Sequence, residues 1–500
     1  MIIISALMLA MLLSALDQTI VSTALPQIAK DLHGLNKLSW VATAYLLTSA
    51  IVTPLYGKIS DLIGRKKVFQ FAIIVFLVGS ALCGISQTMD QLVFFRALQG
   101  LGGGGLMSLS FAIVGDIIPP RDRGKYQGYF GAVFGLASIA GPLLGGLLTE
   151  HLSWHWIFYV NLPIGILALI AIAYRLHLPV RKVKFKFDYI GSILMSISLV
   201  ALLLALTLGG VSYAWSSSMI ISLFVASLIF GIAFVYVETK AEQPIIPLRL
   251  FRGSIFTISA ILSLLSGLIL LGTIIFLPEY QQIVRGYSPT ESGLLLLPLV
   301  GGLFFASLTS GRLITRFGKY KLFPIFGTLV ICLGLYLFSQ IKLDTSEFTL
   351  SIWMIITGIG IGSFMQVMTL AAQNAVDRTD LGTATAIITF FRSIGSSIGT
   401  AIFGIILTTT FTTHLTKIFA GSHFNIAQSI NNITAGNYNL STLPATIRIP
   451  ILSALTLSFR DIFLVAIPFA AVAFFIALLL KETPLKQFTK DEAKADIVGM

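Results

Sequence analysis

Charge is scarce in this 500-residue chain. Asp, Glu, Lys and Arg together make up 11% of it, against roughly 25% in soluble domains, while hydrophobic residues reach 56% and the mean hydropathy is +0.91. A soluble globular domain and a disordered chain are both excluded. Cysteine is nearly absent: Cys83 and Cys332 each lie in an apolar run, which rules out a disulfide framework and a cysteine metal site. There is no phosphate-cradling Gly-rich loop and no gathering of nucleophile, base or metal ligands, so direct use of ATP, a resident metal, an organic cofactor and enzyme catalysis are not expected. Nor does the net charge of +12 imply nucleic acid, because topology accounts for it.

What the chain has is long apolar runs. About 20 apolar residues cross the hydrocarbon core as a helix, and fourteen such segments are read at 2–24, 38–57, 68–87, 91–115, 126–149, 155–174, 188–209, 217–237, 254–279, 292–311, 321–340, 348–371, 382–409 and 459–480. The expected fold is all-α, a polytopic membrane protein with fourteen transmembrane helices. With Met1 inside, most of the 33 Lys and Arg fall in loops on that side, as the positive-inside rule requires. Only Lys30, Lys37, Arg285, Lys342, Lys417 and Arg448 lie in loops on the other side, and Arg96, Arg392 and Arg460 fall within segments. Both termini are expected in the cytoplasm. Twelve or sixteen crossings satisfy the same rule; an odd number does not. The first segment continues as Asp-Gln-Thr-Ile with no small-residue cleavage pattern, so it is expected to stay as the first helix.

The charges inside segments are the informative ones. A charge at the bilayer centre costs about 3 kcal/mol even on the lenient insertion scale, so it faces a cavity or a partner and marks a functional path. Asp17 lies seven residues before the expected end of segment 1 and Arg96 five residues after Gln91, about 11 Å and about 8 Å from the outer surface at 1.5 Å per residue. The two are therefore expected at similar depth, as a neutralising pair or as a carboxylate that exchanges partner and proton.

The chain also repeats itself. Gly57–Lys67 (GKISDLIGRKK) aligns with Gly311–Lys321 (GRLITRFGKYK), and Gly100-Leu-Gly-Gly-Gly with Gly358-Ile-Gly-Ile-Gly, each at an offset of eight segments. Two six-helix bundles are expected, over 1–175 and 254–500, with segments 7 and 8 inserted in a linker at 176–253 and a long outer loop at 410–458. Parallel repeats of this kind place a substrate site near the midplane between halves.

Five motifs in order then carry a family resemblance over nearly the whole chain. GKISDLIGRKK resembles the signature loop of the major facilitator superfamily, and LDQTIVSTALPQI, with Asp17, resembles the helix 1 motif of its fourteen-helix drug:proton antiporters. Arg96–Gly104 is similar to the helix 4 motif and Gly135–Gly146 (GLASIAGPLLGG) to the antiporter motif of helix 5. Ser153–Pro163 is similar to the start of helix 6, with His155 where arginine is common. The resemblance implies a proton-coupled exporter of lipophilic, often cationic drugs, driven by the proton gradient, in a bacterial inner or plasma membrane.

On the residues themselves, Gly57 and Gly64 bracket a tight turn in which Asp61 is expected to gate by binding cations at a neighbouring helix end, including Arg65 or Arg123, and Asp116 is the expected partner of Arg65. Gly135, Gly141, Pro142 and Gly145 suit close helix packing and a kink at a moving interface. Glu279 is a second proton-site candidate. Gln366, Gln373, Asn374 and Arg392 are substrate-cavity candidates, and Arg460 with Asp461 an interface pair. The basic run 181–186 reads as a lipid-surface anchor, and Asn432 and Asn439 head sequons. The expected partners are a small-molecule substrate, protons and the lipid bilayer; no residue specifies an adaptor protein. A dedicated exporter of a metabolite, siderophore or lipid fits the same architecture, and a non-transporting receptor fits it less well.

Overall fold

The computed structural model describes residues 2–33, 37–176, 188–210, 213–419 and 444–485. The expected anchor at 181–186 and the sequons at Asn432 and Asn439 lie outside them. All regular structure there is helical: α1 (Ile2–Asp31), α2 (Leu38–Ile63), α3 (Arg65–Gly84), α4 (Met89–Ile117), α5 (Pro120–His151), the short α6 (Trp156–Tyr159), α7 (Asn161–Arg175), α8 (Tyr189–Leu208), α9 (Ser218–Glu238), α10 (Ser254–Ile283), α11 (Pro289–Leu295), α12 (Leu297–Phe317), α13 (Leu322–Phe338), α14 (Glu347–Asn374), α15 (Leu381–Ile418) and α16 (Ala445–Leu479). Among the described residues twelve helical stretches are long and apolar enough to cross a membrane, so the protein is an integral membrane protein. Of the fourteen expected crossings, α2 is not among the twelve and α13, with 17 residues, is apolar but shorter.

Several helices outrun their apolar segments. α1 continues to Asp31, α15 to Ile418, and α16 begins at Ala445, so the helices take in both ends of the loop expected at 410–458. Hydropathy marks only the hydrocarbon-facing part of a helix; the backbone hydrogen bonding continues past it.

Glycine decides which helices approach. α4 lies on α2 through Gly100 and Gly104, where an added β-carbon would overlap the backbone of Tyr45 and Ser49, and on α3 through Gly102, where it would overlap Phe76. The second repeat does the same 258 residues later: Gly358 and Gly362 of α14 lie on Leu299 and Leu303 of α12, and Gly360 lies on Gly327 and Ile331 of α13. In lipid there is no hydrophobic drive between helices, so this close backbone contact is what holds them. The helices from α1 to α7 pack mainly on one another, those from α10 to α16 likewise, while α8 packs on α2, α9 and α15.

Between the two groups, α5 runs along α12. Gly124 meets Gly311, Gly128 meets the carbonyl of Ser307, and Gly135 meets Val300. Gly57 brings α2 onto Ala386 and Gly382 of α15. Gly57 and its repeat counterpart Gly311 thus both face the opposite group. Gly64 closes the α2–α3 turn at φ 101, a backbone conformation that favours glycine.

Gly102→Val should overpack the α3–α4 contact at a cost of about 1–3 kcal/mol and lower the melting temperature of the purified protein in detergent. Unchanged melting would contradict this packing account.

Candidate functional site

Asp17 and Arg96 meet. Arg96 Nη1 donates to Asp17 Oδ2 at 2.6 Å, with the two side chains 2% and 0% exposed. The pair sits in a closed polar network. Gln99 Nε2 donates to Asp17 Oδ1 at 2.8 Å and Asn161 Nδ2 to the same oxygen at 3.1 Å. Arg96 Nη1 also donates to Gln99 Oε1 at 2.7 Å, and its Nε donates to the Val41 carbonyl at 3.1 Å. The guanidinium lies 4.4 Å over the Tyr45 ring, a cation–π contact that a cation gains in place of water. Asn161 further donates to Ser80 Oγ at 3.0 Å. Helices α1, α2, α3, α4 and α7 are tied through one carboxylate and one guanidinium.

Asp17, a candidate proton switch expected to face the central cavity, does not face it. It points into the first group of helices, while its neighbour Gln18 is the exposed one. The reason is the ion pair itself: with Arg96 on the inner face of α4, the carboxylate is best solvated by turning toward it. Gln99, Asn161, Ser80 and Tyr45 were not singled out from sequence. Gln99 had a usable signal, lying one turn after Arg96 on the same helix face. Asn161 stands inside a quoted motif but far from Asp17 in the chain.

The second cluster bridges the two groups of helices at one end of the molecule. Asp61 Oδ1 takes the backbone N–H of Gly382 at 3.2 Å, and Oδ2 takes the N–H and hydroxyl of Thr383 at 2.8 and 2.6 Å. A carboxylate at unpaired N–H groups of a helix start is favoured both by the bonds and by the helix dipole. Asp61 therefore grips the first turn of α15, a helix end that supplies N–H groups, besides its expected cation Arg65 at 2.7 Å. Arg65 Nε donates to Asp116 Oδ2 at 2.6 Å. Arg123 does not join Asp61: its guanidinium donates to the carbonyls of Gly115 and Ile118 and so caps the end of α4. A complementary clasp missed in the sequence runs the other way, from Arg121 Nε to the carbonyl of Thr315 at 3.2 Å near the end of α12.

Between the clusters, Gln373 bridges the groups. Its Nε2 donates to the Phe111 carbonyl at 3.1 Å and to Thr385 Oγ1 at 2.9 Å, and its Oε1 accepts from Gln127 at 3.2 Å. It belongs to the seal and not to an open cavity. Asn374 is also displaced from the cavity, donating to Thr483 Oγ1 at 3.2 Å beyond α16. Gln366 is buried, with both polar side-chain atoms unpartnered among the described residues, beside a small cavity between α5, α12 and α14. Gly141 and Gly145 pack on Thr19, Ile20 and Thr23 of α1, inside their own group, whereas Gly135 and Pro142 face α12 and Gly293 of α11. The helix 5 motif is thus split between an internal and an inter-group face, because residues six apart point differently around a 3.6-residue turn. Glu279 is half-buried near the far end of α10 and makes no ion pair among the described residues. Asp461 bonds to His414 at 2.7 Å and not to Arg460, since neighbouring residues on a helix diverge.

The arrangement defines a class first: an integral membrane protein of two packed groups of helices, clasped together at the end that carries Asp61. The chain belongs to the Major Facilitator Superfamily, whose family model matches residues 7–400. It is similar to "Multidrug resistance protein 3" of Bacillus subtilis, 38% identical over 99% of this chain and 98% of the relative. "Multidrug transporter protein MdtP" of the same organism is 41% identical over 81% of this chain and 74% of the relative. The fold is shared with the proton:xylose symporter XylE, at a TM-score of 0.63 and 13% identity over 99% of this chain and 98% of that one.

Removing one member of a buried pair strands the other charge, at about 3–5 kcal/mol. Asp17→Asn and Arg96→Gln should each lower thermal stability, and the double variant should lose much less than the two single losses combined. Additive losses would sink the coupling. At the other cluster, Asp61→Ala should raise maleimide labelling of a Thr385→Cys variant in a background freed of Cys83 and Cys332. Equal labelling would show that Asp61 does not hold the seal.

Proposed function

We propose that the protein is a proton-coupled exporter of drugs and other lipophilic, amphipathic small molecules, working by alternating access as an antiporter. The relatives' names, multidrug resistance protein and multidrug transporter, support export of drugs, and family and fold together point to a transporter and not an enzyme. Members of this family generally need no cofactor. The observation that carries the proton-coupled reading is the fully buried Asp17–Arg96 pair.

Protonation of Asp17 removes the charge that Arg96, Gln99 and Asn161 share as donors. A neutral carboxyl accepts fewer and weaker bonds, so the junction of α1, α4 and α7 loosens. Loss of the proton restores it. Asp61 on the start of α15 favours closure at its own end, and breaking that contact opens it. The glycine contacts between α5 and α12 are the surface on which the groups rock. Glu279 is the second proton-site candidate in this scheme.

The architecture we propose keeps fourteen crossings, counting α2 and α13. The first bundle is 1–175, the inserted helices occupy 176–253, and the second bundle begins at 254. The basic residues around the α2–α3 turn, Lys58 to Lys67, support termini and Asp61 end in the cytoplasm, with the protein in the plasma membrane.

The test is the full chain in vesicles under an imposed pH gradient, with dye movement and internal pH followed together. Wild type should exchange dye for protons, and Asp17→Asn should lose that exchange. Unchanged proton exchange in Asp17→Asn would remove Asp17 from the mechanism.

A further inference from the structure

Arg392 is a buried cation without a carboxylate. It lies on α15, 7% exposed, and among the described residues its guanidinium reaches only Met107 Sδ, at 3.5 Å, on α4 across the interface. A thioether is a weak acceptor. The other buried arginines differ: Arg65 has Asp61 and Asp116, Arg96 has Asp17, and Arg123 has two backbone carbonyls. Among the described residues no acid stands in to neutralise Arg392. Its backbone carbonyl lies against Gly267 of α10, and Glu279 is twelve residues further along that helix, about 18 Å away at 1.5 Å per residue.

Its position is as telling as its charge. α15 is buried without a break from Leu381 to Phe390, and part-exposed residues recur from Phe391 onward. On α4, Phe111 is fully buried, Met107 half-buried, and Leu101 is 37% exposed. Arg392 and Met107 therefore meet across the α4–α15 contact, where the continuously buried stretch of α15 ends. A charge taken from water without a counter-ion is costly, and buried charges are normally paired.

We propose that Arg392 is the anchor for an anionic group of the transported molecule, so that the exporter takes amphipaths bearing a carboxylate or similar oxyanion, and that the substrate completes the ion pair. This rests on the export reading above and adds an anionic group to the lipophilic, often cationic substrates that the resemblance implies. The planar fork of a guanidinium suits a carboxylate in a bidentate pair.

The probes are rhodamine B, which carries a free carboxylate, and its ethyl ester, which does not. Binding to the purified full chain in detergent free of anionic lipid is read by fluorescence polarisation. Arg392→Gln should weaken rhodamine B binding about tenfold or more and affect the ester much less, while Arg392→Lys should retain most of the preference. Because the charge is unpaired, Arg392→Gln should not lower the melting temperature. Equal weakening of both dyes, equal binding of both by wild type, or a lower melting temperature with the preference intact would overturn the proposal. So would phosphatidylglycerol displacing rhodamine B from Arg392 as well as unlabelled dye does, which would assign the site to a lipid headgroup. In vesicles, proton-linked movement of the ester alone would sink this inference and leave the export reading standing. Rhodamine B bound through Arg392 but with no proton exchange for either dye would sink the export reading and leave the anion site.

Discussion

A charge placed among apolar helices must be compensated there, since neither lipid nor a close-packed interior solvates it. Asp17 and Arg96 answer each other and draw α1, α2, α3, α4 and α7 together around them. Asp61 is answered by Arg65 and by the start of α15, across the line between the two groups of helices. The first pair is internal to one group and the second bridges both. The two carboxylates thus make different connections: one ties helices within a group, the other ties the two groups at one end.

Glycine supplies the complementary constraint. Backbones approach closely at Gly57, Gly124, Gly128 and Gly311, and polar clasps at Asp61, Arg121 and Gln373 span the seam beside them. In the alternating-access mechanism we propose, the halves rock on this interface. Arg392 stands just beyond these clasps as the one buried arginine, among those described, whose partner is only a sulfur.

Much of this was legible in the chain. The apolar runs gave the helices, the repeated glycines marked an internal repeat, and two charges at matched depth gave the Asp17–Arg96 pair. The direction of Asp17 was not legible, because it depends on which face of α4 carries Arg96 once α4 is packed on α2 and α3. Arg65 was legible as a partner of Asp61; its second partner was not, since the first turn of α15 offers backbone N–H groups that carry no residue signature. Asn374 and Gln373 looked alike as polar residues at a helix end, yet one side chain meets the segment after α16 and the other spans the seam. Helix ends were read short because polar residues continue a helix beyond the hydrocarbon.

The central claim is that the proton state of Asp17 decides which end of the molecule is closed. The most direct measurement is a pair of spin-label distances by pulsed electron resonance, one between exposed Ile63 and Asp377 at the Asp61 end, the other between exposed Gln27 and Gly286 at the opposite end. On acidification the two distances should change in opposite directions in the wild-type background and stay fixed in Asp17→Asn. Distances that ignore pH, or that respond in the same way without the Asp17 carboxylate, would contradict the account.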